Sequence, residues 1–174
     1  MKKIKIAGLV FLIFFLQPVL IFAQEAKTTF IYQVVSVQDG DTFTATDGNV
    51  EFRVRMAGMD APEHAQPYGK MAKYRLKSLI ESQPVTITPI KKARDRYGRV
   101  LGNVFANGQD ISLLMIQEGL ATYYRPTCHD YPEDKNKYDY DPDIYIQAET
   151  VAKAAGKNIW SRAHVELPCA FRRK

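Results

Sequence analysis

Cysteine is scarce in this 174-residue chain: Cys128 and Cys169 are the only two. They are too few for a disulfide-scaffolded miniprotein or a four-cysteine zinc site, and the Cys128-His129 pair lacks partners for one. There is no internal repeat and no low-complexity tract. With 46% hydrophobic and 25% charged residues, a disordered or collagen-like chain is excluded. The length suits one globular domain.

Charge is missing altogether from Ile6 to Ala23, a run that follows Met1-Lys2-Lys3-Ile4-Lys5 and precedes Gln24-Glu25. A basic start, a long apolar stretch and a small residue at its end describe a signal peptide over residues 1–23, cut after Ala23. The alternative is an uncleaved anchor, because about 17–25 apolar residues span a bilayer. In both cases the domain, residues 24–174, is expected to be exported, secreted or periplasmic, and to touch a membrane only if residues 1–23 are retained. The formal charge of +5 falls to +2 without Lys2, Lys3 and Lys5. What remains is segregated, −4 over residues 24–66 and +7 over residues 67–99. The surface is divided into acidic and basic territories.

Alternation and turn dipeptides predict strands over 29–38, 41–46, 50–57, 84–90 and 99–105, with Asp39-Gly40 and Asp47-Gly48-Asn49 as turns. A helical period marks residues 68–82 through Met71, Ala72, Leu76, Leu79 and Ile80. Asp110 reads as the N-cap of a helix over 111–118, and Asp141-Pro142 opens another over 142–155; Gly119 and Gly156 stop them. Five strands with about three packed helices predict an α+β, mainly β, fold: a five-stranded OB-type barrel.

The chemistry sits in the loops. Asp41 and the Asp60-Ala61-Pro62-Glu63 segment offer hard oxygen donors of the kind Ca²⁺ takes. Arg55 precedes them on a strand, and Asp95-Arg96-Tyr97-Gly98-Arg99 adds a basic cluster. Acids for a cation and arginines for an anion are what phosphoryl chemistry requires. Taken alone, Arg55 reads first as a surface arginine paired with Glu51 or Glu63, and Asp39-Gly40-Asp41 as a solvated turn.

The string from Val54 to Glu63 (VRMAGMDAPE), with Asp39–Thr42, Asp95–Arg99, Glu118-Gly119-Leu120-Ala121 and Asn158-Ile159-Trp160, resembles the staphylococcal nuclease-like family across residues 29–161. The resemblance implies that Asp41, Asp60 and the Ala61 carbonyl are ligands of one Ca²⁺. It implies Glu63 as general base, with Arg55 and Arg99 gripping the scissile phosphate and stabilising its five-coordinate transition state. Arg96 and Tyr97 fall where the family meets substrate. After Ala121, Tyr123 and Tyr124 are the candidates for stacking a base, whereas Arg125 stands at one position where the family carries an aromatic; one of the two tyrosines is expected in the core.

In the 125–141 loop, Asp130, Glu133, Asp134, Asp139 and Asp141, with Asp143 just beyond, are spaced too irregularly for an EF-hand and read as a solvated acidic segment. An exported protein meets oxidising conditions, so Cys128 and Cys169 are expected to form a disulfide pinning this loop to the C-terminal tail. The function implied is an exported, Ca²⁺-dependent, sugar-nonspecific nuclease acting on DNA and RNA as a monomer. The alternative is a non-catalytic OB-type module that binds nucleic acid or protein, a role in which the full set Arg55, Glu63 and Arg99 would not be needed.

Overall fold

A computed structural model describes residues 30–125, 128 and 140–174. The proposed signal segment and most of the acidic loop, including His129, Asp130, Glu133, Asp134 and Asp139, lie outside them.

Strands β1 (Ile31–Val37), β2 (Thr42–Thr46) and β3 (Glu51–Met56) form an antiparallel meander, and β5 (Val85–Arg94) pairs β1 on its far side. Strand β6 (Val100–Ala106) lies antiparallel to β5 and parallel to β3. That last pairing closes β1, β2, β3, β6 and β5 into a five-stranded mixed barrel, the OB-type architecture expected. Phe43, Ala45, Val54, Met56, Val85, Ile87 and Val104 fill its interior. The intervening residues of β3, Arg53 and Arg55, therefore emerge on the other face.

Strand β5 runs further than its sequence suggests, into the charged segment Lys91–Arg94. Pro89 has no N–H to donate, and the β5–β6 register slips between Pro89 and Arg94 before pairing resumes. Helix α1 (Gly69–Ile80) buries Gly69, Ala72, Leu76 and Ile80. Met71, expected on that face, is exposed, because the buried stripe runs one residue out of phase with it. Helices α2 (Ile111–Gln117) and α3 (Pro142–Ala154) start as predicted: Asp110 accepts from Leu113 N–H and Asp141 from Asp143 N–H.

Three short elements carry no readable period. Strands β4 (Met59–Asp60) and β8 (Thr122–Tyr123) pair with each other outside the barrel. Strand β7 (Gln109–Asp110) extends β6. A 3-10 turn (Asn158–Ser161) and helix α4 (Pro168–Phe171) complete the chain. The turn explains two motifs at once: Ile159 N–H donates to Gly119 O at 3.1 Å and Asn158 Nδ2 to Glu118 O at 2.7 Å. Glu118 also takes two bonds from Arg75, at 2.7 and 2.5 Å. The Glu118–Ala121 and Asn158–Trp160 motifs are thus halves of one structural joint.

Candidate active site

The β2–β3 register sets Arg55 directly across from Thr42, the residue after Asp41. Its guanidinium then spans two carboxylates: Nη1 meets Asp41 Oδ2, and Nη2 donates to Asp60 Oδ1 at 2.6 Å. Both acids are nearly sequestered, Asp41 at 6% exposure and Asp60 at 2%. Burial weakens the hold of Arg55 on its proton, against the attraction of Asp60 and Asp39, so its pKa lies below the ordinary arginine range.

The backbone around the acids is built for this convergence. A Cβ on Gly40 would come within 2.6 Å of Ala61 Cβ and 2.8 Å of Ala72 Cβ, so only glycine lets the β1–β2 turn close on this loop and on α1. Ala61 N–H donates to Asp41 Oδ2 at 2.9 Å. Thr122 Oγ1 donates to Asp60 O at 3.2 Å, locking the loop to β8. Pro62 then turns the chain to Glu63, whose N–H bonds Gln66 Oε1 at 2.8 Å while Gln66 N–H returns to Glu63 O at 2.8 Å.

Arg99 reaches the same site from the β5–β6 loop. Its Nη1 donates to Thr42 Oγ1 at 3.4 Å, and that hydroxyl donates to Asp41 Oδ1 at 3.0 Å. Asp95 organises the loop, accepting from Tyr97 N–H (2.9 Å), Arg99 N–H (3.0 Å) and Arg99 Nε (2.7 Å). Burial would raise the Asp95 pKa, but the Arg99 bonds and the two N–H groups outweigh it and hold the carboxyl below the usual range. Arg96 Cζ and Arg99 Cζ lie 4.8 and 5.5 Å from the centre of the Tyr97 ring, which is 65% exposed. Arg55, Asp41, Asp60, Ala61, Glu63, Arg99, Arg96 and Tyr97 therefore occupy one connected region.

The two tyrosines separate. Tyr123 is fully buried and stacks on Tyr145 with ring centres 6.0 Å apart, so it belongs to the core and presents no face to substrate. Tyr124 is half-buried, and its N–H bonds Gly58 O at 3.0 Å. Arg125 turns inward and forms an ion pair with the fully buried Glu149, Nη2 to Oε2 at 2.5 Å. Glu149 also accepts from Tyr123 N–H at 3.1 Å. The arginine that replaces an expected aromatic is thus part of a structural pair whose acid lies on α3.

One feature of this region escapes motif reading, and it lies beside a disulfide that does not. Cys128 and Cys169 are disulfide-bonded, as expected, with Cα atoms 5.6 Å apart. Three residues beyond Cys169, Arg172 enters the site. Its Nη1 donates to Asp60 Oδ1 (3.1 Å) and Glu63 Oε1 (2.6 Å), and its Nη2 to Asp60 Oδ2 (2.9 Å). Burial disfavours its charge, yet the bonds to Asp60 and then Glu63 prevail and hold its pKa above the ordinary range. In the sequence Arg172 is one of three terminal cations; only its spacing from a paired cysteine signals that it folds back.

Asp41 and Asp60 both touch one guanidinium, so two hard-oxygen donors converge on a single cationic group. That donor chemistry fits an oxygen-preferring divalent ion. The convergence is of two carboxylates and no more: among the described residues no group of three or more His, Cys, Asp or Glu could hold a metal.

Residues 53–162 match the family model described as Staphylococcal nuclease homologue. The chain belongs to this family. It is 35% identical over 164 residues to a micrococcal nuclease of Shigella flexneri, covering 89% of this chain and 87% of that protein. An uncharacterized endonuclease of Haemophilus influenzae is 36% identical over 143 residues, 82% of this chain and 72% of its own. A thermonuclease of Staphylococcus hyicus is 35% identical over 138 residues, 75% of each. The staphylococcal nuclease match spans Arg55, Asp60, Glu63 and Arg99 but ends at Arg162, ten residues before Arg172.

Proposed function

We propose that this protein is an exported, calcium-dependent nuclease that hydrolyses phosphodiester bonds in DNA and RNA. The observation that carries the reading is the bridge Arg55 makes between Asp41 and Asp60, with Glu63 on the same loop and Arg99 joined to Asp41 through Thr42. The names of its relatives point the same way.

Calcium held by Asp41, Asp60 and the carbonyl oxygen of Ala61 would supply Lewis-acid stabilisation of charge on the phosphorus oxygens. Glu63 takes a proton from the attacking water as its oxygen bonds to phosphorus. The 5′ P–O bond breaks, its electron pair stays on the 5′ oxygen, which takes a proton from solvent to become a hydroxyl, and a 3′-phosphate remains. Arg55 and Arg99 donate to the non-bridging oxygens, most strongly once a fifth ligand has added charge there, so their binding favours the transition state over the substrate. Arg96 and Tyr97 meet the adjacent backbone, and Tyr124 offers a ring to a base. These groups address phosphate, sugar and ring faces, so cleavage is indifferent to sequence. Export with cleavage after Ala23 agrees with the charge-free leader and the Cys128–Cys169 disulfide.

Digestion of single-stranded DNA and RNA in Ca²⁺ and in excess chelator, by wild type and Glu63→Gln, tests the reading. Loss of cleavage in chelator and a drop of at least about 10²-fold in the variant are expected. Full cleavage by Glu63→Gln would remove the general base. Tight binding of DNA without any cleavage would make the protein a binding module.

A further inference from the structure

The C-terminal arginine occupies oxygens that the proposed chemistry needs. Arg172 takes Asp60 Oδ2 and Glu63 Oε1 and shares Asp60 Oδ1 with Arg55. A cation liganded by Asp60 and a proton accepted by Glu63 both require this guanidinium to withdraw. Its side chain is 41% exposed, so withdrawal leads directly into solvent.

The tail is arranged for both holding and release. Helix α4 is a four-residue turn, and Cys169 within it is tied to Cys128. Gln66 ties the loop of Glu63 to the tail: its Oε1 accepts from Glu63 N–H, and its Nε2 donates to Glu166 O at 3.1 Å. Between loop and tail lies a cavity of about 160 Å³ lined by Pro62, Gln66, Thr122, His164, Glu166 and Pro168. Tail and loop are joined by the Gln66 and Arg172 bonds, with this cavity beside them.

We propose that Arg172 is an internal counter-cation of this site, competing with the divalent ion for Asp60 while it covers Glu63, and held within reach by the Cys128–Cys169 disulfide. The inference rests on the calcium-dependent reading above. A tethered competitor lowers apparent metal affinity by the fraction of molecules in which it is docked, and metal in turn expels the tail. Arg172 thereby sets how much calcium the site requires.

Calorimetric titration of CaCl₂ into the oxidised protein, without nucleic acid, is the test. Arg172→Gln is expected to bind Ca²⁺ about tenfold more tightly than wild type, and Arg172→Lys, which keeps charge but loses the bidentate fork, to lie between. Arg173→Gln removes the same charge one residue away and is expected within about twofold of wild type. Reducing the disulfide should shift wild type towards Arg172→Gln and leave Arg172→Gln where it was. Circular dichroism establishes that each variant is folded; if Arg172→Gln is not, Arg172→Lys carries the comparison. Equal affinities for wild type and the folded Arg172 variant overturn the proposal while leaving calcium dependence intact, as does equal tightening by Arg173→Gln. Heat-silent titrations of wild type and variants, with cleavage persisting in chelator, overturn the calcium reading and this one together.

Discussion

A methyl group at Gly69 would lie 2.7 Å from the carbonyl carbon of Glu63, and closer still to its oxygen. The first residue of α1 is thus pressed against the backbone of the proposed general base, at a position no side chain can share. Gly69→Ala forces backbone away from backbone, a cost of about 1–3 kcal/mol if the site repacks. The expected outcome is a lower melting temperature together with a fall in kcat, since the shift falls on Glu63. Unchanged melting and turnover would show that the loop yields without consequence.

Asp95 accepts two bonds from Arg99 and one from Tyr97 N–H, and its pKa lies below the usual carboxylate value of about 3.9. A depressed folded-state pKa contributes stability above the unfolded value and loses it as pH falls through the folded one. Asp95→Asn is therefore expected to be less stable than wild type at pH 7, with the gap narrowing below about pH 4. Urea unfolding at pH 7 and pH 3 measures it. A gap that does not change with pH would assign the loss to packing and not to the carboxylate charge.

Arg99→Lys keeps a positive charge but gives up the planar fork that reaches Thr42 and Asp95 together. A fall of about 10²–10³-fold in kcat is expected, by analogy with removal of a single oxyanion donor. Affinity for single-stranded DNA, read by fluorescence anisotropy, should change far less. An equal loss in both would make Arg99 a uniform binding residue.

Tyr123 and Tyr124 are adjacent and are expected to fail differently. Tyr123→Ala opens a hole beside Tyr145 and should cost about 3–5 kcal/mol of stability. Tyr124→Ala should leave melting nearly unchanged and weaken single-strand binding by about 1–3 kcal/mol. Loss of stability without loss of binding at Tyr124 would end its candidacy as a stacking residue.

Most of the barrel was legible because its strands alternate on a buried face: Phe43 and Ala45 on β2, Val54 and Met56 on β3, and Val85 and Ile87 on β5 each place every second side chain inside. Elements of two to four residues were not legible, since a pair such as Asp60–Thr122 is too short to show a period and exists only because two distant segments meet. On helix α1 the period places Ala72, Leu76 and Ile80 on the buried stripe correctly, and only Met71 falls outside it, because a side chain's hydrophobicity does not say which way it faces.

By itself the sequence determined the residue types of the site, their order along the chain, the turns and caps that bound the elements, and the family to which they belong. These depend on local propensity and short spacing, which a linear chain carries in full. Tertiary structure alone decided that Arg55 joins Asp41 to Asp60, that Tyr123 is interior, that Arg125 pairs with Glu149, and that Arg172 returns to Asp60 across 112 positions. Each of these turns on which distant groups burial brings within hydrogen-bond reach. A charge near the end of a chain has no partner until a disulfide and a packed loop supply one.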